Sequence, residues 1–291
     1  MRFQADEEIR LDNYLAKVLD ESRSQVSKII KSGNVFVNNK ITKAGLILKN
    51  GDIIDVNYQS EDDSIIPEEM DLDIVYEDDD VIVINKANGV VVHPAPGNYH
   101  GTLVNGLLHY TKLSVVNGEA RPGIVHRIDA YTTGLLVVAK NNKAHEFLAR
   151  ELADKKTIRK YVALVWGNIK NDSGTIDAPI GRSLVDRKKM AVVANGKTAI
   201  THFRVLKRFG DVTLIELKLE TGRTHQIRVH MDYIGYPVVN DPVYGGRKLL
   251  DDTGQCLHAK TLGFVHPTTL KYMEFDSELP ECFLNILKQF E

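Results

Sequence analysis

The chain of 291 residues is long enough for about two domains with a sizeable core. Its two cysteines, Cys256 and Cys282, exclude a disulfide framework, and apolar runs such as Leu135 to Ala139 fall far short of the ~18 residues of a membrane span. A net charge of −2 argues, as a bulk number, against a dedicated nucleic-acid binder. The distribution reverses that reading. Residues 22–50 hold six bases and no acid, residues 61–80 hold eleven acids and no base, and the remainder from 81 onward has eight bases in surplus. One acidic stretch masks an otherwise basic chain.

The opening sequence MRFQADEEIR lacks the apolar stretch of a secretory signal, so a soluble cytoplasmic protein is expected. Leu11, Tyr14, Leu15, Val18 and Leu19 have the spacing of an amphipathic helix. Ser22 with Gln25 fits a capping box for a second helix, with Val26, Ile29 and Ile30 on its apolar face and Gly33 as its stop. Val35–Val37 reads as a strand entering a turn at Asn38-Asn39, and a second turn at residues 49–52 leads into a strand at Ile53–Val56. Residues 1–60 therefore form a small α/β module. Residues 61–72 read as an acidic linker, a solvated spacer around Pro67, and residues 73–291 as a second domain.

In that second domain strands dominate, at Val81–Asn85, Gly134–Lys140, Lys160–Trp166, His202–Phe209, Val212–Glu220 and His225–His230. Helical patterns are fewer, at Thr102–His109, Lys143–Leu152 and Glu281–Phe290. Short turns such as Phe209-Gly210-Asp211 imply antiparallel neighbours, and the elements do not alternate as a doubly wound sheet would require. An α+β fold follows, with a mixed, largely antiparallel sheet flanked by helices.

Three segments hold candidate chemistry. Asp129 sits in a polar turn before a buried strand, a sound mounting for a reactive carboxylate, although Asp before Thr-Thr-Gly is also an ordinary Asx-turn residue. The stretch 219–230 packs Arg223, Arg228, His225 and His230 together, and Arg223, following Gly222, is placed to fork onto a carboxylate or phosphate. Read on a strand, the two histidines face opposite ways, which argues for structural roles and against a metal site. Tyr161 follows two bases, as either a core aromatic or a ring for a nucleic-acid base with cations serving phosphate. No P-loop, dinucleotide fingerprint or nucleophile-elbow serine is present.

Together these segments resemble the RluA-type (ribosomal large-subunit) family of bacterial pseudouridine synthases. Residues 85–90, 91–105, the His126-Arg127-Ile128-Asp129 block, the Tyr161 strand, the 221–230 block, residues 236–245 and the 257–267 stretch fall in family order, and residues 10–57 are similar to an S4 RNA-binding domain. The resemblance implies isomerisation of uridine to pseudouridine without cofactor or metal. It makes Asp129 the nucleophile, Arg223 its pairing arginine, Tyr161 the aromatic against the base, and Arg127 the residue filling the space left by a flipped base. Arg23, Lys28, Lys31, Lys40 and Lys43 become RNA contacts of the S4-like module, although such bases also make an ordinary solvated face.

Structured RNA is the implied partner, large-subunit 23S rRNA first and transfer RNA second, with the protein a monomer. A binding factor that has lost catalysis, or a hydrolase using Asp129, are the readings from other classes; the first is disfavoured by Asp129, Tyr161 and Arg223 together, the second by the lack of a second placed carboxylate. Four positions depart from the family pattern. Ala130 and Tyr131 replace a charged residue followed by Asp, Ala87 replaces proline, and Asn240 replaces glycine.

Overall fold

The computed structural model describes residues 1–19, 21, 23–57, 65–95, 98–116, 121–246 and 249–291. The chain divides into two compact units, Met1–Asp63 and Ser64–Glu291. The proposed cap at Ser22 and residues 61–64 of the linker lie outside the described residues.

The first unit runs β1 (Arg2–Gln4), β2 (Ile9–Arg10), α1 (Leu11–Val18), α2 (Arg23–Lys31), β3 (Val35–Val37), β4 (Lys40–Ile41), β5 (Ile47–Leu48) and β6 (Ile53–Val56). A four-stranded antiparallel sheet, β1-β6-β3-β4, supports the two helices, and β2 pairs with β5. The core joins Leu11, Tyr14 and Leu15 of α1 to Val26, Ile29 and Ile30 of α2, over Val35, Val37, Ile54 and Val56 of the sheet. Left-handed backbone at Asn38 and Asn39 makes the tight β3–β4 turn, a conformation that asparagine tolerates better than most residues. Arg23, Lys28, Lys31, Lys40 and Lys43 are all exposed.

Asp12 is buried at the start of α1, where Arg10 forks onto it at 2.8 and 3.1 Å and Arg23 reaches it at 3.2 Å. These arginines hold its carboxyl at about 2, with the Arg10 hydrogen bond as the largest cause and burial opposing. A depressed carboxyl stabilises the fold fully above its unfolded value, about pH 4, and that contribution is lost as pH falls through about 2. Asp12→Asn should therefore lower the unfolding free energy of the full chain by about 1 kcal/mol at pH 7, the exposed arginines limiting the effect. Urea denaturation at pH 7 and pH 3 should show the wild-type advantage shrinking at the lower pH.

The second unit contains β7 (Ile74–Glu77), β8 (Val81–Lys86), α3 (Leu103–Tyr110), β9 (Thr133–Ala139), α4 (Asn142–Ala153), β10 (Ile158–Trp166), β11 (Ser173–Asp177), β12 (Ile180–Arg182), β13 (Met190–Val192), β14 (Ile200–Arg208), β15 (Val212–Leu219), α5 (Gln226–Tyr233), β16 (Leu257–Val265), β17 (Tyr272–Asp276) and α6 (Glu281–Leu287). Its main sheet has the order β11-β14-β15-β10-β16-β9-β8-β7, with β17 also on β16. Among the described residues its strand pairs are antiparallel except β16 with β9, which run parallel for two residue pairs. Gly134 allows that crossing: its φ is +105°, and an added Cβ would run into the Ala259 backbone.

Two expectations need correcting. The segment 225–230 is the start of α5 rather than a strand. Gln226 to Met231 are all buried, so this helix has no polar face to mark a 3.6-residue period. The alternation of Ile227, Val229 and Met231 mimics a strand instead.

The linker expected at residues 61–72 is also more than a spacer, and the acids of the domain that follows are engaged as well. From Ile65 it packs on the second unit's core, with Ile65 and Leu72 among its apolar contacts. Glu68 accepts the Gly101 amide, Glu77 pairs with Lys140 at 2.7 Å, and Asp78 accepts His266 and two backbone amides. Those acids fasten loops.

Candidate active site

Asp129 lies in a turn closed by the Thr132 amide on its own carbonyl, immediately before the fully buried strand β9. Its Oδ2 accepts Arg228 Nη1 at 2.9 Å. Arg228 projects from α5 and uses Nε and Nη2 to fork onto Asp241, at 2.7 and 2.8 Å. Asp241 has a wholly buried side chain and takes two further bonds, from the Val243 and Tyr244 amides. Burial pushes the Asp241 carboxyl up, but the Arg228 fork and these amides outweigh it and hold it low. For Arg228 burial pulls down, and the two carboxylates overcome it to raise the guanidinium further.

This corrects the pairing expected from the sequence. Arg223 lines the same cleft but is exposed, and its Nε donates to the Thr198 carbonyl; the arginine on Asp129 is Arg228. The turn before α5 makes the difference. Gln226 accepts Thr221 Oγ1 and the Arg223 amide, and donates to Ile200 O and Thr201 Oγ1, which pins residues 221–226. His225 follows in left-handed backbone (φ 55°), and the helix that begins there carries Arg228 inward.

His225 joins the site, against its expected purely structural role. Its Nδ1 lies 2.8 Å from the Tyr244 hydroxyl, which accepts the Met190 amide. Its Nε2 lies 3.8 Å from Asp129 Oδ1. With Nδ1 accepting the hydroxyl proton, the Nε2 proton faces the carboxylate. Burial pulls this imidazole down, against the pull of Asp129. His230 is structural, held between Thr201 Oγ1 and the Ala178 carbonyl.

Lys86 is a second residue that sequence reasoning passed over. Its side chain is fully buried, and Nζ donates to the carbonyls of Ala87, Val90 and Ala130. Burial brings the ammonium down to about 7, with Asp129 pulling it back up. The lysine ties the end of β8 to the loop carrying Asp129.

These residues surround an open cleft of about 610 Å³, counting the solvent at its mouth. Arg127, Asp129, Tyr161, Arg223, His225 and Arg228 all line it, and Arg159 joins them from β10. Tyr161 is 7% exposed, and burial raises its phenol. Arg127 Nη1 stands 3.5 Å from His93 Nε2. Every lining residue belongs to the second unit.

Two departures from the family pattern have local explanations. Asn240 has φ of +60°, the left-handed region that suits glycine and that asparagine tolerates. Its amide also bonds Asp251 and the Gly254 carbonyl and accepts the Leu250 amide, fastening residues 250–254. Tyr131 packs against Gly254, where a side chain would collide with its Cβ and ring.

Among the described residues one group, Asp78, Asp80 and His266, is close enough to share a metal ion. The imidazole is already committed: Nδ1 accepts the Thr268 and Thr269 amides, so the proton sits on Nε2 and points at Asp78, 2.7 Å away. The donor set does not fit a metal. No helix among the described residues is long and apolar enough to cross a membrane.

A family model described as RNA pseudouridylate synthase matches residues 80–233, and an S4 domain model matches residues 9–54. The chain is 54% identical over 282 residues to the uncharacterized RNA pseudouridine synthase YlyB of Bacillus subtilis (strain 168), covering 96% of this chain and 93% of that one. It is 45% identical over 293 residues to the ribosomal large subunit pseudouridine synthase D of Pseudomonas aeruginosa, covering 96% and 91%. Among solved structures, human RNA pseudouridylate synthase domain containing 1 superposes with a TM-score of 0.60 at 30% identity, over 75% of this chain and 86% of that one. The second unit is thus an isomerase of the pseudouridine synthase class. The whole chain belongs to the RNA pseudouridylate synthase family, with an S4 domain ahead of the catalytic domain.

The ion-pair relay makes a specific prediction. Asp241→Asn leaves Arg228 buried with half its compensation and should cost about 3–5 kcal/mol of stability, measured by urea denaturation. Arg228→Lys keeps the charge but cannot fork onto Asp241 while holding Asp129, so it should lower pseudouridine formation at least about tenfold.

Proposed function

We propose that this protein isomerises specific uridines of large-subunit 23S rRNA, with Asp129 as the nucleophile. The observation that carries the reading is the Asp129–Arg228–Asp241 relay: a carboxylate aimed into a cleft by an arginine that is itself locked by a buried partner. A carboxylate so placed is preorganised for covalent catalysis on a base-flipped nucleotide. Tyr161, on the cleft wall, is assigned to lie against the uracil and to serve proton transfer from C5. Arg127, exposed at the rim, is assigned to occupy the space left in the RNA helix, and Arg223 to contact the substrate rather than Asp129.

The choice of large-subunit rRNA is supported by similarity to the Pseudomonas aeruginosa enzyme named for that substrate. The S4 domain supports a structured RNA, held through phosphates and shape by Arg23, Lys28, Lys31, Lys40 and Lys43. Cytoplasmic location and a monomeric state complete the proposal, the former in keeping with two free cysteines.

Carbodiimide primer extension on rRNA from a deletion strain tests the assignment. Complementation with wild type should restore one or more 23S stops, and Asp129→Asn should reduce their formation by about 10³-fold or more. Full restoration by Asp129→Asn would remove the nucleophile assignment, and unchanged 23S stops on deletion would remove the substrate. For the S4 domain, changing Lys28, Lys31, Lys40 and Lys43 to Gln should weaken RNA binding. It should also flatten the plot of log affinity against log salt by about 0.7–0.9 for each phosphate no longer neutralised. An unchanged slope in filter binding would show that these lysines do not touch the backbone.

A further inference from the structure

Arg159 is the one buried arginine of the cleft that no carboxylate pairs with among the described residues. Arg228 is shared between two carboxylates, and Arg223 rests on a backbone carbonyl at the exposed edge. Arg159 is 8% exposed, its Nε is buried without a hydrogen-bond partner, and no carboxylate pairs with it among the described residues. A buried guanidinium in that state is costly to the fold. Burial pulls its pKa down, with Tyr161 alone opposing.

The local backbone is built to admit it. Arg159 and Tyr161 alternate along β10, so both side chains leave the same face of the strand and both line the cleft. Across from them Gly222 leaves room for the guanidinium: a Cβ there would stand 2.7 Å from Arg159 Nη1. A charged group kept dry beside an aromatic ring, in a site that must receive a flipped base, is positioned for charge that develops on the base. RNA phosphates, which remain hydrated, are better served by the exposed Arg127 and Arg223.

We propose that Arg159 is a further catalytic residue, one that binds the carbonyl edge of the target uracil and stabilises it as a monoanion when the glycosidic bond breaks. As C1′–N1 breaks, the Asp129 carboxylate takes C1′ as an ester and the electron pair stays on the base, spread over N1, O2 and O4. After the base turns, C5 uses that pair to form C5–C1′ and the Asp129 carboxylate leaves. C5 then loses its proton to a base in the site and N1 gains one from solvent, so the product is an isomer with no net gain or loss. A fixed guanidinium in a low-dielectric site strengthens as the charge appears and needs no reorganisation. The inference rests on the cleft around Asp129 being the place of reaction, and it holds whichever RNA is the substrate.

The test uses the full-length protein and total RNA from the deletion strain, labelled with tritium at uridine C5. Tritium release in single turnover reports the isomerisation without prior choice of a site. Asp129→Asn serves as the separate arm for the cleft itself: full release by that variant would move the reaction elsewhere and overturn both readings. Arg159→Met should lower the rate at saturating enzyme by about 10²–10³-fold. RNA affinity and its salt slope should stay at wild-type values, and thermal stability should be equal or higher, because an uncompensated buried charge has gone. Arg159→Lys should recover part of the rate. Gly222→Ala, which crowds the guanidinium without removing it, should lie between wild type and Arg159→Met. A loss of affinity with a shallower salt slope and a wild-type saturated rate would make Arg159 a phosphate ligand and overturn the proposal. So would a wild-type rate in Arg159→Met, or a rate loss in step with a lowered melting temperature.

Discussion

The Arg228 guanidinium between Asp241 and Asp129 is the interaction on which the catalytic unit depends. A carboxylate at a cleft can rotate toward water or toward any cation nearby, and a single flexible partner would not fix it. Arg228 fixes it because two of its nitrogens are already committed to a wholly buried carboxylate. The remaining Nη1 then has one direction left, and Asp129 lies along it. Much of the surrounding structure follows from keeping that fork dry and immobile. It explains why α5 is buried from Gln226 to Met231, why Gln226 ties the preceding turn to β14, and why residues 243 and 244 offer their amides to Asp241.

The sequence revealed most where periodicity and turn chemistry agreed. The two helices of the first unit and its strands β3 and β6 fall where Leu11, Tyr14, Val26 and Ile30 repeat, and where Asn38-Asn39 and residues 49–52 mark turns. The same holds for β8, β9, β10, β14 and β15, whose apolar runs end at recognisable breaks. It failed at α5, where burial on every side erased the helical period. It also missed β7, β11, β16 and β17 of the main sheet, and β12 and β13, which at three residues each are too short to show any alternation. In the site, Asp129, Tyr161 and Arg127 were legible through their motifs, and they line one cleft. Two arginines five residues apart could not be told apart by motif alone once the segment was read as a strand. Lys86 and Asp241 reach the Asp129 loop through Ala130 and Arg228, which nothing local signals, and His225 was in view while its approach to Asp129 was not.

Charge acquires a different meaning in the folded chain. Eleven acids between residues 61 and 80 cancel the surplus of bases elsewhere when counted along the sequence. In the fold several are committed to holding loops: Glu68 to residues 100 and 101, Glu77 to Lys140 and Tyr110, and Asp78 to Tyr76 and His266. The bases of the S4 domain are mostly exposed, and among the described residues only Arg10 and Arg23 carry an ion pair. Net charge weighs both sets equally, although only exposed and uncommitted groups project a field that a polyanion can feel.

The cleft draws every lining residue from the second unit, and the first unit contributes its own separate core. The synthase domain and the S4 domain are thus carried by different stretches of the chain. A lineage can exchange, lose or retune the leading domain without disturbing the geometry that positions Asp129, and so send one unchanged chemistry to new sites in RNA. The same separation makes the catalytic unit a natural cartridge for engineering: its destination can be rewritten by fusion to another RNA reader while its reaction stays intact.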